Sequence, residues 1–263
     1  MQTKLILCDL DGTLLRSDKT VSQRTAAALR KSQSLGIPVG FATSRGRANV
    51  SAWEAQLAPD VLICNGGACV FYKDALLFSA AFTQAETRAL LSAAYRVCGA
   101  SAEITVDVID RVFWNRKADK STDYDRTAAY DDFTDFHAQA MKICVQTADR
   151  RQAAAIAAAA PDCDFLPFSD IPWHKFSPRA GTKENAVRLL CAHLRISPQN
   201  VVAFGDDHSD IGMLRLCGTG VAMQNAVLEA KQAADAVTAS NDDDGVAAFL
   251  ERLLQSEAPH ASR

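Results

Sequence analysis

Four short apolar runs, each closed by a polar turn, constrain this chain more than any other feature. Leu5-Ile6-Leu7-Cys8 ends in Asp9, and Ile37-Pro38-Val39-Gly40-Phe41-Ala42 ends at Thr43-Ser44-Arg45. Val61-Leu62-Ile63-Cys64 ends at Asn65-Gly66-Gly67, and Val201-Val202-Ala203-Phe204 ends at Gly205-Asp206-Asp207. Continuous apolar runs of this length suit strands buried on both faces. Between the first two, Ala26, Ala27, Leu29 and Arg30 form a helical pattern, with Ser22 placed to cap it and Gly36 to stop it. A strand-helix-strand unit of this kind implies a parallel sheet. Such a sheet gathers the carboxyl ends of its strands on one edge, where open α/β folds hold their ligands, so sequence-distant polar residues converge there.

The texture changes near Phe82. A helical segment with Leu90, Leu91, Ala94 and Tyr95 precedes alternating Ile104, Val106, Val108 and Val112, which Asp110-Arg111 would turn into a hairpin. After a polar stretch around Lys117 to Asp132 come a strand-like Met141-Lys142-Ile143-Cys144-Val145, an alanine-rich helix around Ile156, and an aromatic, proline-punctuated segment from Phe165 to Trp173. The α/β rhythm then resumes with Gly181-Thr182-Lys183 opening a helix through Val187, Leu190 and Leu194. The expectation is one α/β core, residues 1–81 and 176–263, split by an inserted α+β cap, residues 82–175.

A chain of 263 residues that is 48% hydrophobic can bury a substantial core, and a net charge of -3 supplies no global basic field, so no nucleic-acid partner is expected. The eight cysteines are dispersed without CxxC pairs or histidine-rich ligand spacing and read as buried free thiols. The apolar stretch after Met1-Gln2-Thr3-Lys4 is too short for a signal-peptide core or a membrane span. A cytoplasmic protein without a membrane partner follows as the expectation; its oligomeric state stays open.

The chemistry concentrates at the strand ends. Asp9 and Asp11 form a pair of carboxylates separated by one residue: one suited to nucleophilic attack, the other to protonating a leaving oxygen and then activating water, provided that their surroundings set different proton affinities. Gly12 allows the tight turn after them. Thr43 and Ser44 offer hydroxyl and backbone donors for phosphate oxygens, and Arg45 supports the loop or touches substrate. Lys183 follows Thr182, a cap residue, near the positive end of a helix. Gly205-Asp206-Asp207-His208-Ser209-Asp210 supplies hard oxygen ligands of the kind Mg²⁺ takes: Asp206 foremost, Asp210 directly or through water, with Asp207 alternatively a helix cap and His208 a loop residue.

These four motifs in this order resemble the haloacid dehalogenase (HAD) superfamily, specifically its Cof-type phosphatases. Gly220-Val221-Ala222-Met223-Gln224-Asn225-Ala226 and Ser240-Asn241-Asp242-Asp243-Asp244-Gly245-Val246-Ala247 look like the family's carboxyl-terminal features. The resemblance implies a doubly wound, Rossmann-like parallel-sheet core with the inserted cap, and hydrolysis of small phosphorylated metabolites, sugar phosphates above all, through an aspartyl-phosphate. It makes Asp9 the nucleophile, Asp11 the acid/base, Thr43 the second-motif hydroxyl and Lys183 the third-motif lysine. Mg²⁺ would be held by the Asp9 carboxylate, the Asp11 backbone carbonyl and Asp206, with Asp210 nearby. Leu10 and Asp11 backbone amides, Thr43, Ser44, Lys183 and Ser209 would meet the phosphoryl oxygens.

Two positions depart from the family pattern: Ser44 stands where glycine is usual and Ser209 where asparagine is usual. Cap residues Trp114, Arg116, His174 and Lys175 are candidates for the substrate side. A sugar phosphomutase would use the same two aspartates, and a noncatalytic phospho-ligand sensor would keep the fold. Product analysis and a Mg²⁺-dependent turnover assay separate these readings.

Overall fold

The computed structural model describes residues 2–119, 127–169 and 171–257; the polar stretch anticipated around Lys117 to Asp132 lies partly outside them. Five strands come first: β1 (Leu5–Cys8), β2 (Val39–Ala42), β3 (Val61–Cys64), β4 (Cys69–Tyr72) and β5 (Ala75–Ser79). Six follow in the middle of the chain: β6 (Ile104–Asp107), β7 (Val112–Trp114), β8 (Ala129–Tyr130), β9 (Lys142–Gln146), β10 (Cys163–Pro167) and β11 (Trp173–Pro178). The last three are β12 (Val201–Gly205), β13 (Thr219–Ala222) and β14 (Ala236–Val237).

The first and last groups build one sheet in the order β14-β13-β12-β1-β2-β3-β4-β5, parallel from β14 to β3 and closed by the antiparallel β4 and β5. The chain winds outward from β1 in both directions, β2 and β3 on one side and β12 to β14 on the other. The strand order therefore reverses at β1, the place where open α/β sheets leave a crevice. Register decides what meets there. Cys8 lies level with Phe41 on one flank and Phe204 on the other, so Asp9, Thr43 and Asp206 leave the sheet close together. Ser22 caps the helix Gln23–Ser34, its side chain accepting from the Thr25 amide at 3.0 Å, and Gly36 beyond its end takes φ +80°.

The middle strands form a second sheet in the order β10-β11-β9-β6-β7-β8, antiparallel except for β7 with β8. Its two faces differ, as period-two alternation demands. Ile104, Val106, Ile143, Val145 and Phe176 enter a hydrophobic cluster with Leu90, Leu91 and Ile156 of the helices Gln84–Cys98 and Arg150–Ala157. Thr105, Asp107, Lys142, Cys144 and Lys175 alternate to the opposite face and are nevertheless buried. Among the described residues no helix of the insert packs on this face; loops that follow strands of the first sheet reach it instead. The Lys142 ammonium accordingly donates to the Ser44 carbonyl at 2.8 Å. Strand β11 runs to Pro178, past the boundary expected at 175.

Candidate active site

Asp9 follows β1 directly and is 7% exposed. Its amide donates to the Phe204 carbonyl at 3.0 Å, which ties the start of the loop to β12. Lys183, 1% exposed, donates from Nζ to Asp9 Oδ1 and to Asp210 Oδ1, each at 2.6 Å. Its position is set by the backbone. The Thr182 side chain accepts from the Asn185 amide at 3.2 Å and starts the helix Lys183–Leu194, while Gly67 bridges Thr182 so closely that a Cβ there would collide with the Thr182 backbone. Burial works against the Lys183 charge, but Asp210 and Asp9 overcome it and hold the ammonium well above its usual range.

Asp206 faces this pair from β12. Thr13 donates its hydroxyl to Asp206 Oδ1 at 2.6 Å. The Asp206 carboxylate presses against Gly12, whose φ of +77° and lack of a Cβ are both required. Asp9, Asp206 and Asp210 each bring a carboxylate oxygen within 4.8 Å of the others. Burial, then the charges of Asp9 and Asp210, push Asp206 up to about 9. Burial raises Asp9, Lys183 pulls it back and Asp210 raises it again, to about 7. Oxygen donors whose charges raise the proton affinity of Asp9 and Asp206 fit a hard divalent cation, which would relieve the same repulsion.

The raised carboxyl of Asp206 makes a test of that fit. Its ordinary value is 3.8 and its folded value about 9, so between those limits the folded chain holds a proton that the unfolded chain has released. Stability from this group therefore falls as pH rises through that window. In EDTA the thermal midpoint should drop from about pH 6 to about pH 8.5, excess Mg²⁺ should reduce the drop, and Asp206→Asn should flatten it. A midpoint that rises over this interval in EDTA would count against the cluster as a cation site.

Asp11 is placed differently from Asp9. Arg45 donates to it twice, Nε to Oδ2 at 2.6 Å and Nη2 to Oδ1 at 2.7 Å, and Lys19 donates to Oδ1 at 2.9 Å. Burial pushes the Asp11 carboxyl up, but Arg45 and then Lys19 outweigh it and hold it down at about 2. Two carboxylates one residue apart thus have opposite proton affinities. Arg45 is itself buried and lies over the Trp53 ring, 4.8 Å from its centre.

The remaining expected residues are spread around this centre. Thr43 is buried, with its hydroxyl oxygen accepting from the Arg45 amide at 3.1 Å. Leu10 is buried and its carbonyl accepts from Leu15 at 2.8 Å. Ser44 engages Lys142 through its carbonyl. Ser209 lies within the single turn His208–Asp210, which Asp207 caps by accepting from the His208 amide at 2.8 Å; the same Asp207 oxygen lies 2.9 Å from His208 Nδ1. Asp210 has both oxygens engaged, Oδ1 with Lys183 and Oδ2 with the amides of Asp206 and Asp207 at 3.0 Å.

Of the cap candidates, Trp114 and Lys175 are on the buried polar face, whereas Arg116 pairs with Glu103 and lies 3.8 Å over the Trp114 ring. His174 does not fit the expected substrate side. One residue from Lys175, it alternates to the other face, where Nδ1 meets the Thr147 carbonyl at 2.8 Å and the ring approaches Phe165. A cleft of about 840 Å³ lies elsewhere, where the chain crosses between the sheets, bordered by Phe82, Arg179 and Thr182. Asp9 is not among its walls.

The family model for haloacid dehalogenase-like hydrolases matches residues 6–250. The chain belongs to that family. Among curated proteins, a HAD-like relative is the 5-amino-6-(5-phospho-D-ribitylamino)uracil phosphatase YitU of Bacillus subtilis, 28% identical over 268 residues that cover 97% of this chain and 99% of YitU. Among solved structures, a haloacid dehalogenase-like hydrolase from B. subtilis superposes with TM-score 0.83 at 25% identity, covering 96% of this chain and 100% of that one. The HAD subclass IIB sugar phosphatase BT4131 superposes with TM-score 0.82 at 21% identity, covering 95% and 99%. The HAD fold, an α/β core with a parallel sheet, is therefore common to this hydrolase and to phosphatases of the superfamily. Among the described residues no helix is long and apolar enough to cross a membrane.

Proposed function

We propose that this HAD hydrolase is a Mg²⁺-dependent phosphatase of small phosphorylated metabolites, sugar phosphates among them, that works through an aspartyl-phosphate on Asp9. The observation that carries the reading is the convergence of Asp9, Lys183, Asp206 and Asp210 at the strand reversal, with Asp11 on the same turn but held at the opposite proton affinity. Relatives such as YitU, which acts on a phosphoribityl compound, support it.

The Asp9 carboxylate and Asp206 would hold Mg²⁺, with the Asp11 carbonyl assigned by family resemblance; Asp210, already committed to Lys183 and two amides, positions the lysine and the loop. The cation supplies charge neutralisation at the transferring phosphoryl group. Lys183 binds Asp9 through one carboxylate oxygen and leaves the other for attack on phosphorus. As the new O–P bond forms, the bond from phosphorus to the leaving alcohol oxygen breaks, and that oxygen takes a proton from Asp11. Water then attacks the acyl-phosphate, Asp11 recovers the proton, and Asp9 is regenerated. Thr43 and the Leu10 and Asp11 amides receive the phosphoryl oxygens.

In the arrangement described, Asp11 is an ionised acceptor and donates nothing. To act as the acid it must take up a proton and turn from Arg45 and Lys19, so this ion pair is a resting position. The insert 82–175, in this reading, is the cap whose departure admits substrate.

The test is phosphate release from a panel of phosphate monoesters. Turnover is expected with Mg²⁺, loss with EDTA, recovery with excess Mg²⁺, and acid-stable label from a ³²P-ester on the peptide carrying Asp9. No release across the panel would sink the phosphatase reading, and an isomeric phosphate as product would replace it with a mutase.

A further inference from the structure

The second sheet turns its polar face to the catalytic edge, and it carries a charge that the reaction above does not use. Contacts with the loops after β2 and β3 locate this face. Besides the Lys142 bond to Ser44, a Cβ on Gly46 would lie 2.8 Å from Asp107 Oδ1, and one on Gly66 would lie 2.6 Å from Lys175 Nζ. Most cations here have an anion of their own. Lys183 has Asp9 and Asp210, Arg45 has Asp11, and Lys142 lies 3.2 Å from Asp107.

Lys175 is the exception. It is 5% exposed, yet among the described residues no carboxylate pairs with it and no acceptor takes its hydrogen bond. Burial, then the charges of Lys183 and Lys142, depress its ammonium to about 8, with Cys144 and Asp164 pulling only weakly the other way. An ammonium on a side chain this buried, with no protein acceptor among the described residues, carries a desolvation cost, and a neutral side chain of the same volume would pack there without it. The strand register adds a second observation. Trp114, Thr105, Cys144 and Lys175 form one cross-strand row, and Trp114 Nε1 is a buried donor with no partner among the described residues. The row thus ends in an unused donor on each side, with the Trp114 ring packed edge-on against Trp173 at 6.2 Å between centres.

We propose that Lys175 binds a second anionic group, carboxylate or phosphate, on the alcohol half of the substrate, so that the preferred esters are acidic phosphosugars or bisphosphates rather than neutral sugar monophosphates. The inference rests on the phosphatase reading and narrows its substrate class. The transferring phosphoryl group is answered by Lys183 and the cation proposed above, so an ammonium on the facing sheet, with no carboxylate of its own among the described residues, meets its charge requirement with an anion on the leaving alcohol.

Matched esters test it. Phosphate release is compared for 3-phosphoglycerate against glycerol 3-phosphate, and for fructose 1,6-bisphosphate against fructose 6-phosphate, with p-nitrophenyl phosphate reporting that phosphoryl chemistry runs. Wild type is expected to favour the anionic member of at least one pair by about tenfold or more in kcat/KM, the size of one charge-assisted hydrogen bond. The first pair reads carboxylate and the second phosphate. Lys175→Met should bring that ratio close to one, Lys175→Arg should retain most of it, and the ligand-free thermal midpoint of Lys175→Met should rise. Turnover of p-nitrophenyl phosphate with no anionic preference in either pair would overturn this inference alone. A preference unchanged in Lys175→Met would do the same. Absence of all turnover would overturn the phosphatase reading and this inference with it.

Discussion

Asp9→Asn should release no measurable phosphate from any ester that the wild type hydrolyses, a loss of about 10⁴-fold or more, while folding normally. Asparagine has nearly the same shape and keeps a carbonyl oxygen for the Lys183 ammonium, now at 2.6 Å from Asp9 Oδ1. What it lacks is the second oxygen with negative charge, and so the nucleophile. Its amide also removes one of the mutually repelling charges among Asp9, Asp206 and Asp210. The thermal midpoint in EDTA should therefore be unchanged or higher, and the Asp206 carboxyl should move down from about 9, since Asp9 is the strongest neighbouring charge acting on it. Three measurements check this: phosphate release, thermal unfolding in EDTA, and ³²P label in acid-quenched protein. Label retained elsewhere, with turnover intact, would assign the nucleophile to another residue.

The buried strands were legible because four-residue apolar runs with polar ends have few other homes. Leu5–Cys8 and Val61–Cys64 appear as expected, and the run from Ile37 begins its ladder only at Val39 because Pro38 has no amide to donate. The hairpin of β4 and β5 was not foreseen. Its two turn residues, Lys73 and Asp74, take φ of +46° and +66°, a primed turn that sequence usually signals with Asn-Gly. Strands β10 and β11 were hidden in an aromatic segment containing Pro167, which a strand tolerates here because β10 is an edge.

At the site, residue types were legible and partnerships were not. Nothing local couples Asp11 to Arg45, which is brought in by β2, or Thr13 to Asp206, brought in by β12. The acidic loop after β12 likewise put Asp206 foremost as a ligand but left open whether Asp210 binds directly or through water. Its single helical turn separates them, aiming one Asp210 oxygen at two backbone amides and the other at Lys183. Lys175 and His174 show how far alternation can carry such a reading: adjacent in sequence, they could never share a face of one strand. Only the placement of the second sheet against the loops of the first tells which of the two faces the catalytic edge.

Lys183→Met should have the second large effect, and in two measurements at once. Among the described residues the ammonium is the one side-chain donor to Asp9 Oδ1, and it also holds Asp210 at the same distance of 2.6 Å. Methionine keeps much of the volume and removes the charge, so the phosphoryl group loses a preorganised cation and Asp9 its orientation. A fall of at least about 10³-fold in kcat is expected, at the upper end of what one such electrostatic contact supplies. Stability should fall as well, because breaking a buried ion pair from one side costs about 3–5 kcal/mol. The fall should depend on pH. With the ammonium gone, Asp9, whose carboxyl burial already raises and Lys183 no longer pulls back, avoids bare charge by taking up a proton, which is easy near pH 6 and hard near about pH 8.5. The deficit relative to wild type in EDTA should thus widen as pH rises, and Mg²⁺ should narrow it by substituting its charge for the missing ammonium. A midpoint difference independent of both pH and Mg²⁺ would mean that Lys183 serves packing rather than charge, and the reaction site would have to be rebuilt without it.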